Sequence, residues 1–253
     1  MNRLRTIYYL TVLSLFTVVI FSVFATVWLL TVLFDRDRVV CHHVSRFWSM
    51  MIYRLSPWWK VEVTGLENVI YGRSYVVVSN HQAMLDIPLL YVLPFNFKWV
   101  SKREVYKIPV FGWVLWMHGD VAIERGASAA AKAMMAKCEA YLRRGVSVIM
   151  FPEGTRTKTG QVNAFKEGAM RLAQESGVDI LPVVIDGTYD AFDHLGIAAP
   201  HTFRVRILPA IGANEVSCTS TRELRDTLNT LMCDTHKEIA PRHYRKKDQS
   251  VGE

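Results

Sequence analysis

From Ile7 to Phe34 the sequence contains no charged side chain. As an α-helix, this run would be about 42 Å long at a rise of ~1.5 Å per residue, and the hydrocarbon core of a bilayer is about 30 Å thick. A secretory signal peptide fits less well. Its apolar region usually has about 7–15 residues, and this longer run ends at the charged segment Asp35–Arg38. The run therefore predicts a retained membrane helix, either a tilted span or one arm of a hairpin within a single leaflet.

Basic side chains flank this run on both sides. Arg3 and Arg5 precede it, and more follow: Arg36, Arg38, Arg46, Arg54 and Lys60. The positive-inside rule then predicts a location at the inner (cytoplasmic) membrane, with the domain after the helix facing the cytoplasm. The net charge of +7 fits contact with anionic lipid. Nucleic acid is the competing class of partner, but no nucleic-acid-binding motif accompanies the charge, so we expect no such partner.

The next segment, Val39–Trp59, carries apolar side chains at helical spacing. They are Val40, Val44, Phe47, Trp48, Met51, Ile52 and Leu55. Polar and basic side chains lie elsewhere on the helical wheel, and Trp58 and Trp59 close the segment. This pattern predicts an amphipathic interfacial helix with aromatic anchors. A helix that packs on a protein core is the alternative.

From Val61 onward, runs typical of strands alternate with runs typical of helices. The predicted strands are Lys60–Thr64, Tyr75–Ser79, Phe97–Ser101, Asp120–Glu124, Val146–Phe151, Ile180–Ile185 and Thr202–Leu208. The predicted helices are Leu85–Leu93, Ser128–Arg144, Lys166–Ser176 and Ser220–Ile239. This alternation predicts an α/β fold with a central, mostly parallel or mixed sheet flanked by helices. We divide the chain into N-terminal membrane-anchoring helices (1–59), an α/β domain (60–240) and a basic C-terminal tail (241–253).

The positions of cysteine and glycine argue against a metal cluster, a disulfide framework and a dinucleotide site. The four cysteines are far apart and form no Cys-x-x-Cys pair, which argues against a metal cluster or a disulfide framework. No Gly-x-Gly-x-x-Gly motif is present, so a dinucleotide site is not supported. We therefore expect neither a metal nor a cofactor.

A polar motif follows the predicted strand Tyr75–Ser79. His81 comes two residues after the strand, and Asp86 lies five residues further on. Side chains at the carboxyl end of a strand lie at the edge of the sheet where α/β proteins hold their sites. A turn and one helical turn can bring Asp86 onto the His81 ring, which is the arrangement of a general base. A helix-capping Asn80 beside a surface histidine is the plainer alternative.

A second motif, Phe-Pro-Glu-Gly-Thr-Arg, follows the predicted strand Val146–Phe151. Asn-His-x4-Asp followed by this motif resembles the glycerolipid acyltransferase family, whose best-known members are the 1-acylglycerol-3-phosphate acyltransferases. Two further blocks of that family fall in order at residues 102–125 and 180–185. The resemblance covers roughly residues 60–210.

The resemblance implies an enzyme, a 1-acylglycerol-3-phosphate O-acyltransferase of phospholipid biosynthesis. Such an enzyme transfers a fatty acyl group from acyl-CoA or acyl carrier protein to the sn-2 hydroxyl of lysophosphatidic acid, forming phosphatidic acid. Its partners are these two substrates and membrane lipid. His81 would take the hydroxyl proton, with Asp86 as its partner. The residues implied for glycerol-phosphate binding are Glu153, Gly154, Thr155 and Arg156.

Other residues extend this hypothesis. Arg125 and Lys102 follow or end predicted strands, so they are further candidates to bind the phosphate at the same edge of the sheet. We expect Glu153 to contact a glycerol hydroxyl or to hold Arg156. Backbone N–H groups near Gly154 or in the turn Asn80–Gln82 are candidates to stabilise the oxyanion.

Several alternatives stay open. Glu167 stands where a second lysine is frequent in the family, so the acceptor could be another lysolipid, such as a lyso-ornithine lipid or another lysophospholipid. An inactive lipid-binding membrane protein is a further possibility. Ser79 beside His81 suggests an acyl-enzyme, which a thioester donor makes unnecessary. The apolar stretch Pro109–Met117 predicts either an acyl channel or core packing.

Overall fold

A computed structural model of the chain describes residues 2–124, 128–193 and 196–245. Eight α-helices lie within these ranges: α1 (Asn2–Thr31), α2 (Val39–Arg54), α3 (Asp86–Leu89), α4 (Phe111–His118), α5 (Ser128–Leu142), α6 (Gly168–Ser176), α7 (Ala213–Cys218) and α8 (Thr221–Ile239). Short 3₁₀ turns, including Pro241–His243, accompany them. The strands are β1 (Trp59–Thr64), β2 (Tyr75–Ser79), β3 (Phe97–Lys102), β4 (Val121–Ile123), β5 (Ser147–Met150), β6 (Asp179–Asp186), the short pair β7 (Phe192–Asp193) and β8 (Gly196–Ile197), and β9 (His201–Ile207).

Seven of these strands form one mixed sheet in the order β1-β9-β6-β2-β5-β3-β4. All neighbours run parallel except β6 and β9. The carboxyl ends of β2, β3, β4, β5 and β6 therefore share one edge, which we call the carboxyl edge. The predicted α/β fold and all seven predicted strands of this sheet are confirmed.

Apolar layers cover both faces of the sheet. Within β2, Tyr75 and Val77 face one layer and Val76 and Val78 face the other, as the two-residue period of a strand requires. All four side chains are fully buried. Helices α5, α6 and α8 complete one layer, and α2 and α3 contribute to the other. A strand buried on both faces explains why β2 is a continuous run of β-branched residues.

The predicted helix boundaries hold with local differences. The segment Leu85–Leu93 contains α3 followed by a 3₁₀ turn, because Pro88 and Pro94 limit a longer helix. Ser220 caps α8 by accepting a hydrogen bond from the Glu223 N–H. Helix α4 covers most of the apolar stretch Pro109–Met117 and ends one residue after it, at His118; the sequence does not predict this helix.

Helix α1 lies along the domain over much of its length. The Tyr9 hydroxyl donates to the Ile52 carbonyl, and the Trp48 indole donates to the Thr17 hydroxyl. Near the other end, the Trp28 ring lies 5.2 Å from the Trp116 ring of α4. Most α1 side chains remain exposed, and Arg3–Thr31 is long and apolar enough to cross a membrane.

Helix α2 packs on the domain through a different face from the one predicted. It ends at Arg54, and Trp59 belongs to β1 and the core instead of serving as an anchor at the membrane surface. The buried side chains of α2 are Cys41, His42, Ser45, Ser49, Ile52 and Tyr53. Val40 and Phe47, both assigned to the apolar face, are exposed. Packing on the core, the stated alternative, therefore accounts for one side of this helix.

Candidate active site

His81 and Asp86 meet at the carboxyl edge. The chain turns after β2, and Asp86 opens α3, so that Asp86 Oδ2 lies 2.6 Å from His81 Nδ1. The same oxygen accepts the N–H groups of Gln82 at 2.5 Å and Ala83 at 2.9 Å. Asp86 is fully buried. Three donors on one oxygen fix the carboxylate in place, so that it can hold the histidine ring in one tautomer.

The His81 ring is fixed by stacking. Phe151, which follows β5, lies parallel to it with ring centroids 4.0 Å apart, and Trp99 of β3 stacks on the other side of Phe151. The His81 side chain keeps 16% of its surface exposed. Its Nε2 atom has no hydrogen-bond partner in the described part of the chain. The ring is therefore oriented, and one of its nitrogens is open to a reactant.

Asn80 and Ser79 support the backbone around His81. The Asn80 side chain donates to the Ile185 carbonyl at 2.9 Å and accepts the Ile185 N–H at 2.8 Å. Asn80 therefore extends the pairing of β2 with β6. This role differs from the alternative of a helix-capping asparagine beside a surface histidine. The Ser79 hydroxyl is fully buried and donates to the Asn80 carbonyl, so it is not directed at His81.

Glu153 binds the backbone of His81 and the Asn163 side chain instead of holding Arg156. Its Oε1 accepts the His81 N–H at 2.7 Å, and its Oε2 accepts both the backbone N–H and the side-chain amide of Asn163. It makes no ion pair with Arg156. Burial raises the pKa of Glu153 to about 7, although hydrogen bonds from His81 and Asn163 oppose the shift. Glu153 therefore ties the loop after β5 to the backbone of the histidine.

The loop Glu153–Thr157 is bound to His81 at a second point. The Thr157 N–H donates to the His81 carbonyl at 2.9 Å. Between these two attachments, Gly154 has φ +68°, a conformation that favours glycine. Thr155 and Arg156 are exposed. Their backbone N–H groups, like the Arg156 guanidinium, have no hydrogen-bond partner among the described residues.

The other basic residues predicted to bind the phosphate are Lys102 and Arg125. Lys102 ends β3 at the carboxyl edge and is half-buried. Arg125 lies outside the described residues. Lys166 is not among the predicted phosphate-binding residues, although it directly precedes Glu167, where a second lysine is frequent in the family. Its Nζ lies 3.0 Å from the point where a Cβ on Gly154 would stand.

Glu167 is engaged away from the loop. Its carboxylate pairs with Arg225 at 3.2 Å and with Arg171 at 3.8 Å. Glu167 is the residue that left the choice of acceptor lipid open, and its carboxylate binds arginines of α8 and α6.

The expected oxyanion donors are largely occupied. The N–H groups of His81 and Gln82 donate to carboxylates, and the Gly154 N–H donates to the Phe151 carbonyl. Among the expected donors near Gly154, the N–H groups of Thr155 and Arg156 have no hydrogen-bond partner in the described part of the chain.

An apolar cavity of about 230 Å³ adjoins the stretch predicted as an acyl channel or core. From that stretch it is lined by Pro109, Val110, Phe111 and Val114, with α1 and α2 on the other side. Among the described residues, no group of three or more His, Cys, Asp or Glu side chains has the geometry to hold a metal ion.

Known proteins are similar to this chain in sequence over much of its length. A family model for acyltransferases matches residues 60–186. The 1-acyl-sn-glycerol-3-phosphate acyltransferase of Pseudomonas aeruginosa is 32% identical over 209 residues, which cover 81% of this chain and 80% of that protein. A chloroplastic enzyme of the same name from Brassica napus is 36% identical, and the match covers 74% of this chain.

The matches differ in how much of each relative they cover and in whether they show the sequence family or the fold alone. The chain spans about half the length of the plant relatives, 54% for Brassica napus and 44% for Arabidopsis thaliana. The crystal structure of the 1-acyl-sn-glycerophosphate acyltransferase PlsC from Thermotoga maritima superposes with a TM-score of 0.76 over 100% of both chains. At 24% identity this match shows a shared fold.

Proposed function

The chain belongs to the acyltransferase family, and from this membership we propose that it transfers a fatty acyl group from an acyl thioester to the sn-2 hydroxyl of 1-acylglycerol-3-phosphate. The product is phosphatidic acid. The observation that carries the proposal is the His81–Asp86 pair, oriented at the carboxyl edge beside a loop with an unpaired arginine. The names of the relatives support the choice of acceptor.

His81 acts as the general base. Because its Nδ1–H donates to Asp86, its Nε2 takes the proton from the acceptor hydroxyl as the oxygen attacks the thioester carbonyl carbon. The resulting tetrahedral oxyanion collapses, the carbon–sulfur bond breaks, and the imidazolium returns its proton to the leaving thiolate. The thioester is already activated, so this sequence of steps requires no metal or other cofactor. Acyl-CoA and acyl carrier protein both supply the same bond.

The loop Glu153–Thr157 supplies charge stabilisation. The open N–H groups of Thr155 and Arg156 are suited to donate to the oxyanion or to a phosphate oxygen. A phosphate monoester carries about −1.5 to −2 charges at neutral pH. Arg156 can bind it with two parallel hydrogen bonds, and Lys166 adds a second cation above Gly154. Lys102 is a further candidate at this edge. Arg125, which lies outside the described residues, stays a candidate from the sequence.

Membrane attachment follows from α1 and its neighbours. Because α1 packs along the domain from Tyr9 to Trp28, it cannot cross a full bilayer without drawing the domain into the hydrocarbon. We place α1 within one leaflet on the cytoplasmic side. The exposed Trp113 and Trp116 of α4 lie beside it, as expected for aromatic side chains at an interface.

Deleting residues 1–38 tests this attachment. We expect weaker but persistent vesicle binding, because α2 still exposes Val40 and Phe47, and salt should release the truncated protein more readily than the full chain. Co-sedimentation with anionic and neutral vesicles at two salt concentrations measures this. A truncated protein that is fully soluble at low salt would show that α2 serves the domain alone.

One assay tests the proposed activity. Purified full-length protein receives acyl-CoA or acyl carrier protein thioester together with lysophosphatidic acid, lysophosphatidylcholine or a lyso-ornithine lipid. Free thiol and lipid product are measured, with and without EDTA. We expect thiol release that depends on lysophosphatidic acid and is insensitive to EDTA. A preference for another acceptor, thiol release without acceptor, or no turnover would each contradict the proposal and would indicate another lysolipid acyltransferase, a thioesterase or an inactive lipid-binding protein, respectively.

A further inference from the structure

Thr188 lies beneath the proposed catalytic pair although nothing in its local sequence marks it. It comes two residues after β6, and its side chain is buried. The intervening Gly187 has φ +97°, and a Cβ there would lie 2.5 Å from the Thr202 carbonyl oxygen. Only glycine fits this turn without displacing β9. After this turn, the Thr188 side chain faces Gln82 and Asp86 instead of solvent.

The Thr188 hydroxyl binds the oxygen of Asp86 that faces away from His81. Asp86 Oδ2 has three donors, namely the His81 ring and two backbone N–H groups. In the described ranges, Oδ1 has one donor, the Thr188 hydroxyl, which makes a short hydrogen bond to it. The two oxygens are thus held from opposite sides, and this fixes the plane of the carboxylate.

The hydroxyl has a second neighbour, and only one proton to give. Gln82 Oε1 lies 3.1 Å from Thr188 Oγ1, further away than Asp86 Oδ1. Hydrogen bonds to an ionised acceptor are the stronger kind, so the proton belongs to Asp86. Thr188 is therefore a donor to the carboxylate.

Gln82 connects this point to the C-terminal helix. Its side-chain amide donates to the Gly160 carbonyl at 3.2 Å and faces His236 Nε2 of α8 at 3.1 Å. Burial lowers the pKa of His236 to about 4, so this ring is neutral and can accept at Nε2. Its Nδ1–H then faces the Tyr244 hydroxyl at 3.0 Å. The surroundings of Thr188 are thus ordered by hydrogen bonds from three separate parts of the chain.

We propose that Thr188 is a positioning residue for acyl transfer, which holds the Asp86 carboxylate in the plane that aligns His81 for proton removal. This inference rests on the proposed function of the His81–Asp86 pair. Thr188 touches neither reactant. Its effect reaches the reaction through Asp86, so it should change the catalytic rate and leave substrate binding alone.

The test compares Thr188→Val, Thr188→Ser and a matched control. Valine keeps the shape of threonine without its hydroxyl, and serine keeps the hydroxyl. The control is Thr235→Val, which removes a buried hydroxyl that bonds only its own helix, at the Leu231 carbonyl. We expect Thr188→Val to lower kcat about tenfold or more, as for the loss of one charge-assisted hydrogen bond, with KM for both substrates unchanged. Thr188→Ser should recover most of the rate, and Thr235→Val should resemble the wild type.

A spectroscopic measurement separates this inference from the proposed function. The His81 Nδ1 proton, assigned by its loss in His81→Ala, should give a strongly downfield proton resonance in the solubilised wild type. That resonance should move or broaden in Thr188→Val and persist in Thr188→Ser and Thr235→Val. Unchanged kcat and an unchanged resonance in Thr188→Val, or equal losses in Thr188→Val and Thr235→Val, would overturn the inference. Because the resonance does not require turnover, it answers the question even if the enzyme acts on another acceptor.

Discussion

The molecule contains two histidine–aspartate pairs with similar geometry and different surroundings. His81 Nδ1 lies 2.6 Å from Asp86, and His118 Nδ1 lies 2.8 Å from Asp120. The His81 side chain is 16% exposed, whereas the His118 side chain is 1% exposed. His118 ends α4, and its Nε2 faces the His42 ring of α2 at 3.3 Å. A carboxylate beside a histidine is thus insufficient for catalysis, because the second nitrogen must also be open to a reactant.

The position of each pair in the sheet accounts for this difference. The His81 pair follows the carboxyl end of β2, where the loops after several parallel strands meet. The His118 pair precedes β4 and lies at the opposite edge, where α2 and α4 cover it. There the buried Lys98 donates to the His118 carbonyl, and Asp120 accepts the Trp99 N–H. Burial lowers the pKa of His118. We assign this second pair to the attachment of α2 to the domain.

Replacing the two aspartates should separate the roles of the pairs most strongly. Asp86→Asn removes the charge that stabilises the His81 imidazolium, so kcat should fall by about 10²-fold or more. Asp120→Asn should leave kcat per folded molecule close to the wild type and lower the stability by about 1–3 kcal/mol through its buried hydrogen bonds. Steady-state kinetics and denaturant unfolding measure the two effects. Equal losses of rate in both variants would remove the distinction between the pairs.

The phosphate contact should have the next largest effect. Arg156→Ala should raise KM for lysophosphatidic acid at least about tenfold, as for the loss of one or two charge-assisted hydrogen bonds. Arg156→Lys should recover only part, because lysine lacks the planar fork. Lys158→Ala, which removes an exposed cation directly after the loop Glu153–Thr157, is the matched control for general electrostatics.

The acceptor dependence decides how the arginine result is interpreted. If Arg156→Ala weakens lysophosphatidic acid, lysophosphatidylcholine and a lyso-ornithine lipid equally, the phosphate contact is wrong. The same holds if Lys158→Ala matches its effect.

The free energy of unfolding should depend on pH with opposite signs through two buried groups. They are Glu153 beside the His81 pair and Lys98 beside the His118 pair. Burial raises the pKa of Glu153 from 4.5 to about 7, so the folded protein holds this proton more tightly than the unfolded chain, and stability falls as pH rises between about 4.5 and 7. Burial lowers the pKa of Lys98 from 10.5 to about 8, so stability rises between about pH 8 and 10.5. Each contribution is about 3 kcal/mol across its window.

Single substitutions isolate these contributions. Glu153→Gln should flatten the lower window and Lys98→Met the upper one, as measured by urea unfolding across pH. A wild type and variant with parallel curves in either window would contradict the corresponding assignment.

The sequence was sufficient for the features that depend on neighbouring residues. Strand β2 is buried on both faces and was identified from consecutive valines. The His81–Asp86 contact spans five residues, so local turn geometry could predict it. The side chains that support it come from distant strands. Glu153 lies 72 positions from His81, and Thr188 lies 102 positions from Asp86. Their roles depend on β2 lying between β5 and β6, and an order of strands cannot be obtained from local patterns.

The apolar patterns were less specific than the polar motifs. The sequence predicts that helix α2 turns its apolar face to the membrane, yet its buried side chains include the small Cys41, Ser45 and Ser49. Close approach of α2 to the domain selects small side chains, and a hydrophobicity pattern does not register this. A hydrophobicity pattern likewise predicts only an apolar stretch where the structure has helix α4.

The central claim is that the His81 pair at the carboxyl edge, and not the buried His118 pair, removes the acceptor proton. The most direct test measures kcat for His81→Ala and His118→Ala in one assay of thiol release from acyl thioester with lysophosphatidic acid, normalised to folded protein. The account predicts a loss of about 10²–10⁴-fold for His81→Ala and a rate close to the wild type for His118→Ala. A His81→Ala protein that keeps more than about a tenth of the wild-type rate, or a His118→Ala protein that loses as much as His81→Ala, would contradict it.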